Sequence, residues 1–519
     1  MASIPAWRSL VPATLALAVL AACAPGDGAP APAGSTAPAA SSQAEAKGGL
    51  DDAVAGLRAR LSAELPTDQL AAITPAEVTS LASDQERQQL ASGFIRFTVD
   101  APATVHVLLS PDSDQVPFWL SEQGFEPSGV GALVDGDDQF RGWSRQVPAG
   151  EVALGVHSVE MGVKPYLVMV GPAEAGGLQP QISQPWPDGM SVATVAPGVR
   201  AFADDTDEID AVDAPLQGLA LLQTLEGREN AAGLAGYFRT TPYPSGAGPD
   251  HVVLTWSGDP ATSQSIQWRT APGSAHSLLR YAPEGGEASV VEAATTELRT
   301  PDVANDPHVL RHTAVLEGLE PATTYRYAIG DGERWGEERA FTTAPAQGAP
   351  FSFIYMGDAQ NGLDSWGGLV RKARARHPQA ACYVMAGDLV NWGERRDDWD
   401  LFFLIARGVF DSRPLVPAVG NHEVDQGHAE LYVAQFDLPR NGPDGVEPER
   451  VYAMEYSDTL FVVLDSNLEP GPQVEWLDAT LGGSDATWKF VVFHHPLYSP
   501  RPGDRGQPEL KAAWTPVFE

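Results

Sequence analysis

The spacing of apolar residues changes along this chain, and each change marks a different kind of element. Between residues 48 and 91, Leu50, Val54, Leu57, Leu61 and Leu65 recur every three or four positions, one face of a helix, and Pro66 closes it. Thr74-Pro75-Ala76-Glu77 has the form of a capping box with Pro at the first helical position, which predicts a second helix. From 92 to 172 the period drops to two. Residues 94–99, 105–109, 152–156 and 166–170 are short apolar runs set apart by Gly, Pro and Asp, the pattern of a small β-sandwich whose role is not legible. Residues 173–237 read as a connecting region. From 238 to 346 the period of two returns at 252–256, 265–270, 312–316 and 324–329, and 340–343 closes a second sandwich.

Beyond residue 350, four apolar runs each stop in a polar turn. Gly357-Asp358-Ala359-Gln360 follows 353–356, and Gly387-Asp388-Leu389-Val390-Asn391 follows 383–386. Gly420-Asn421-His422-Glu423 follows 415–419, and His494-His495-Pro496-Leu497-Tyr498 follows 490–493. Helical stretches are predicted near 366–377, 399–409 and 474–481. Strands alternating with helices predict an α/β domain with its helices outside the sheet layers. Ligands in such folds bind beyond the carboxyl ends of the strands. Two carboxylates, a carboxamide and several imidazoles would therefore meet at one end of one sheet, which outlines a metal site.

Composition narrows the partners. The 519 residues suit about three domains on a prior of roughly 150 residues each. Hydrophobic residues make up 43%, enough to build cores. Lys+Arg 33 against Asp+Glu 68 leaves a net charge of −35, which excludes binding to nucleic-acid backbones. Anionic substrates are repelled at long range too, so a phosphate-directed site needs local positive charge, and bound cations supply it. The acidic run Asp204-Asp205-Thr206-Asp207-Glu208-Ile209-Asp210 lacks the central Gly of a calcium loop, and composition favours a solvated face.

The first residues speak to location. An apolar run at 10–22 after Arg8 is too short to span a bilayer and has the shape of a signal-peptide core. It ends in Leu20-Ala21-Ala22-Cys23, which resembles the lipobox of bacterial lipoproteins, a resemblance that implies cleavage after 22 and acylation of Cys23. The expectation is an exported chain, anchored in a membrane by lipid and facing the periplasm or cell surface, with the Ala/Pro-rich stretch 23–47 as a tether. Of the two cysteines, that leaves Cys382 as the one free thiol, read as buried and inert.

The four turn motifs together resemble the calcineurin-like metallophosphoesterase superfamily, and with the sandwich at 238–346, which is fibronectin-III-like, the purple acid phosphatase branch. The resemblance covers 238–519. It implies a multidomain chain in which β-sandwich domains precede an αββα-type metallophosphoesterase domain at 350–519. It further implies that Asp358 binds one metal ion, that Asp388 bridges two, and that Asn421 and His494 bind the second. His422 would contact the phosphate and protonate the leaving group, with Asp388 the other catalytic residue and Gln360, Asn391 and His495 around them. Two divalent or trivalent ions (Fe, Mn, Zn or Mg) and a phosphate ester substrate, most simply a monoester, follow from it. The sequence departs from the pattern in three places. Gln360 stands where the wider superfamily often has His, and Asn391 stands where purple members have a metal-binding Tyr. The family's final Gly-His-x-His motif does not appear, so the chain is expected to stop short of its last ligands. Two other readings stay open: a degenerate domain serving as a binding module, and a phosphodiesterase.

Overall fold

The computed structural model describes residues 49–499 and 507–519, apart from single positions 114, 175, 347 and 426. The apolar run at 10–22, Cys23 and the tether lie outside the described residues. Among the described residues, no helix is long and apolar enough to cross a membrane.

The helix Gly49–Glu64 buries Leu50, Val54, Leu57 and Leu61. Thr74 and Glu77 exchange capping-box hydrogen bonds (2.9 and 3.3 Å) at the start of Pro75–Leu81. A second capping box, Ser83 with Glu86, starts Asp84–Ser92. These helices share one core with the first β-domain, where Leu57, Leu61 and Leu90 meet Phe94, Phe97 and Trp119.

That β-domain is larger than the apolar runs suggest. Residues 173–237 do not merely connect. They supply Ile182–Trp186 to a three-stranded sheet, and Ser191–Thr194, Val199–Arg200, Glu208–Val212 and Ala220–Gln223 to an eight-stranded one. The strands escape a periodicity reading because they are short and half exposed: Glu208–Val212 buries only Ile209. The acidic run is not simply a solvated face either. Asp207 pairs with Lys164 at 2.7 Å, and Asp210 accepts the Gly136 N–H at 2.6 Å.

The second sandwich has two antiparallel four-stranded sheets. Asp250–Thr255, Gln264–Thr270, His308–Leu316 and Ala294–Arg299 form one, and Ser289–Glu292, Leu278–Pro283, Thr324–Gly330 and Arg339–Thr342 the other. Leu254, Ile266, Trp268, Leu279, Tyr325 and Phe341 fill the space between them.

The C-terminal domain begins with three parallel strands, β1 (Ile354–Met356), β2 (Tyr383–Met385) and β3 (Leu415–Pro417), hydrogen-bonded in that order. A second sheet joins β4 (Tyr452–Tyr456), β5 (Thr459–Val463) and β6 (Trp488–Val492), with β6 parallel to β5. The helices are α1 (Leu363–Arg376), α2 (Arg396–Ile405), α3 (Glu430–Gln435), α4 (Gly471–Gly483) and α5 (Pro508–Phe518). Side-chain alternation sets the layers. Tyr452, Met454, Phe461 and Val463 turn toward the first sheet and share a core with Tyr383, Met385 and the α1 and α2 residues Trp366, Val370 and Phe402. Ala453, Leu460 and Val462 turn the other way, onto Leu477 of α4 and Leu510 and Trp514 of α5. The order helix, sheet, sheet, helix places the ends of β1, β2, β3 and β6 together.

The sandwich and the C-terminal domain meet through buried charge. Asp400 of α2, wholly buried, accepts from Arg269 of the sandwich at 2.7 Å and from Arg396 of its own helix at 3.0 Å. Arg396 also donates to Thr300 Oγ1 (2.9 Å) and Asp306 O (2.6 Å). Burial pushes Asp400 up to about 6 against the pull of both guanidiniums. Asp400→Ala removes one of the carboxylates that serve two buried cations, leaving Arg269 with Asp250 at 2.7 Å and Arg396 with Asp306 at 3.2 Å. At pH 8, where Asp400 is ionised, it should cost about 1.5–3 kcal/mol of unfolding free energy, the range for a lost charged hydrogen bond, read from the urea midpoint. A loss below about 1 kcal/mol, typical of exposed pairs, would show that water screens this interface.

Candidate metal centre

Each motif begins where a strand ends. Gly357-Asp358 continues β1, Gly387-Asp388 continues β2, Gly420-Asn421 continues β3 and His494 follows β6 within two residues. The chain must turn sharply there, and Asp358 and Asp388 both sit at φ 52°, in the left-handed region. Asp tolerates that region better than most residues, but each such position still stores strain, which clusters at functional sites. The loops after β2 and β3 also touch backbone to backbone. A Cβ on Gly387 would lie 2.7 Å from Gly420 Cα and 2.9 Å from His494 Cβ, and one on Gly420 would overlap Asp388 Oδ1. Both positions require glycine.

Asp388 is the hub, 3% exposed. Its Oδ1 accepts the His422 backbone N–H at 3.1 Å, which leaves Oδ2 facing the other motifs. Around Oδ2 stand Gln360 Nε2 at 2.8 Å, His494 Nε2 at 3.2 Å and His422 Nε2 at 3.9 Å. His494 Nε2 is also 3.1 Å from Asn421 Oδ1. Ligand atoms of Asp358, Asp388 and His494 all lie within 4.8 Å of one another. Asp358 and Asn421 are exposed, so the cluster opens to solvent on one side.

The imidazoles are oriented from behind. His494 Nδ1 lies 2.9 Å from Ala386 O and His422 Nδ1 lies 2.7 Å from Asn391 O, so each Nδ1 carries the proton and each Nε2 is aimed at the cluster. His494 Nε2 faces two oxygens, Asp388 Oδ2 and Asn421 Oδ1. Burial lowers the His494 pKa, but its hydrogen bond to Asp388 and that carboxylate's charge outweigh this and raise it to about 8. Burial raises Asp388, yet the bond from His494 and the nearby imidazoles hold it below the usual carboxylate range. A raised imidazole contributes stability that is complete below about 6.5 and is lost as pH climbs through about 8.

The remaining candidates separate. His495 turns away, with Nδ1 2.9 Å from Ser466 Oγ, and Asn391 contributes its carbonyl. Cys382 is wholly buried beside β2, and burial pushes its thiol up to about 12. A second acidic cluster, Asp205, Asp207 and Glu226, lies in the first β-domain, where Lys164 already sits against Asp207 at 2.7 Å and Glu226 at 3.7 Å.

One residue of the third motif acquires a role only in the structure. Glu423, 2% exposed, accepts backbone N–H groups from Asp388 (2.8 Å), Leu389 (2.7 Å), Val390 (3.2 Å) and Gly420 (2.8 Å). Burial, helped by the Asp388 charge, pushes its carboxyl up to about 7 against the Gly420, Val390 and Leu389 donors. It ties the loops after β2 and β3 to each other. The sequence signal was a carboxylate inside an otherwise metal-like motif, with no pattern to say it faced inward.

Residues 249–343 match the family described as purple acid phosphatase, N-terminal domain, and residues 351–517 match calcineurin-like phosphoesterase. Purple acid phosphatase 21 of Arabidopsis thaliana is 26% identical over 211 residues, covering 38% of this chain and 46% of its own. An uncharacterised Mycobacterium tuberculosis protein is 25% identical over 323 residues, covering 53% and 60%. The chain thus spans about half to three fifths of the length of these curated relatives. A purple acid phosphatase from yellow lupin (Lupinus luteus) seeds superimposes with a TM-score of 0.44 at 14% identity, over 73% of this chain and 64% of that one.

Glu423→Gln points an amide N–H₂ at donors that need an acceptor. The loss should be about 2–4 kcal/mol, from a charged hydrogen bond removed and an N–H left unsatisfied, read by thermal or urea unfolding. An unchanged midpoint would mean the loops hold together without the carboxylate.

Proposed function

We propose that this chain hydrolyses phosphate monoesters at a two-metal centre built on Asp358, Asp388, Asn421 and His494. The observation that carries the reading is the convergence of separate strand ends on His494 Nε2, which stands 3.2 Å from Asp388 Oδ2 and 3.1 Å from Asn421 Oδ1. The donors are oxygen and imidazole nitrogen, which suit Fe, Mn, Zn or Mg rather than a thiolate-bound structural zinc. The backbone carbonyl behind His494 is the outer partner that a metal-facing imidazole requires. The match of 351–517 to calcineurin-like phosphoesterases supports the same chemistry.

Bound cations would polarise the phosphoryl oxygens and make water a nucleophile near neutral pH. The chain's own residues do the rest. Asp388, with Oδ1 held by the His422 N–H, would present Oδ2 as a fixed negative point to bound cations. His494, its Nδ1–H held on Ala386 O, would offer Nε2 to a bound cation. His422, aimed by Asn391 O, carries a proton at Nε2 to the departing ester oxygen.

A second reading, a degenerate domain that binds without catalysis, draws on Gln360. Its amide N–H occupies Asp388 Oδ2, where a cation would sit. Metal content separates the two. The enzyme should hold about two ions per chain. Asp388→Ala should strip them and bring hydrolysis of p-nitrophenyl phosphate to background. An Asp388→Ala protein as active as the parent would remove Asp388 from the reaction, and a parent protein without metal would favour the binding module.

We also propose that the chain is exported and held on a membrane by acylation at Cys23. The apolar run before Cys23 and the tether after it support this. Cys23→Ser should move the protein from the membrane to the soluble fraction. Unaltered fractionation would rule the lipid out.

A further inference from the structure

We infer that Gln360 is itself a cation ligand, through its side-chain oxygen. This extends the Asp, Asn and His set and rests on the metal-centre reading above. The Gln360 backbone is fixed, its N–H donating to Asp388 O at 3.2 Å and its carbonyl accepting the Gly362 N–H at 2.7 Å. The side chain is held at one end only. Nε2 donates to Asp388 Oδ2 at 2.8 Å, whereas Oε1 is buried with no hydrogen-bond partner. Leaving a buried acceptor unpaired costs about 1–3 kcal/mol, so nothing at the far end favours the present orientation. What decides it is the group that occupies Oδ2.

Without a cation Oδ2 is a carboxylate oxygen facing His494 Nε2, with room for a second donor, and an amide N–H is the right neighbour. A cation on that oxygen reverses the preference, because N–H and cation repel. A half-turn of the terminal amide exchanges two groups of nearly equal size, one donor and one acceptor. It brings Oε1 close to the place Nε2 now holds, 2.8 Å from Asp388 Oδ2. Two oxygens at right angles on an octahedral cation, with bonds of about 2.1 Å, stand about 3.0 Å apart. The present spacing therefore already fits a shared coordination edge. A neutral amide oxygen also adds a hard donor without adding a third negative charge to Asp358 and Asp388, which suits Mg²⁺ or Mn²⁺.

The test is Mn²⁺ binding by the full chain, followed by electron paramagnetic resonance of free Mn²⁺ at fixed pH. Gln360→Ala should weaken the affinity by about tenfold, the low end of what loss of a metal partner brings. Gln360→Met, which keeps the volume, should do the same and serves if the Ala protein does not fold. Gln360→Glu, which restores an oxygen at that position, should recover the affinity. If Gln360 is only a donor to Asp388, removing it frees Oδ2, and the Ala and Met proteins bind Mn²⁺ as tightly as the parent or more so. That result overturns the ligand role and leaves the metal centre standing. A parent protein that binds no Mn²⁺ overturns both.

Discussion

Four backbone N–H groups from two loops converge on one buried carboxylate, and the geometry of the whole site depends on that convergence. Glu423 takes three of them from the turn after β2 and one from the turn after β3. Without it those turns would present unpaired donors to each other across the Gly387–Gly420 contact. With it, Asp388 is locked in the left-handed conformation that aims Oδ2 at His494 and Gln360. The residues that would touch metal are few and partly exposed. What makes them a site is a carboxylate that touches none of it.

The same economy governs the join between domains. A sandwich beside an α/β domain would ordinarily swing, since inter-domain surfaces are modest and polar. Here Asp400 and Arg396 of α2 interlock with Arg269, Thr300 and Asp306 of the sandwich, all buried. Because α2 directly follows the loop carrying Asn391, whose carbonyl orients His422, the sandwich helps to position the imidazole proposed to serve the leaving group.

The sequence disclosed the elements whose period was clean. Leu50 to Leu61 marked their helix, Thr74 and Glu77 their cap, and the Gly-Asp and Gly-Asn turns marked the ends of β1, β2 and β3. It failed where burial was partial. The strands between 182 and 223 are short and show mostly mixed or exposed faces, so no alternation survives. The hairpin Glu126–Val134 with Asp138–Val147 did carry a signal, an Asp135-Gly136 turn with both residues at positive φ. Glu423 was invisible for another reason. A carboxylate that accepts main-chain donors has the same letter as one that binds a cation, and only the fold says which way it points. Gln360 reads plainly as a departure, yet its unpaired oxygen is a property of packing and not of spelling.

The placing of His494 has a wider consequence. Its Nε2 stands against Asp388 Oδ2 and Asn421 Oδ1, and its Nδ1 is held on the Ala386 carbonyl, so the ring is fixed by the chain's own scaffold. Small metallo-domains whose binding energy is their folding energy have no such internal frame. A cation taken up at the proposed centre would meet an imidazole already aimed, and the chain would give up little conformational freedom in receiving it.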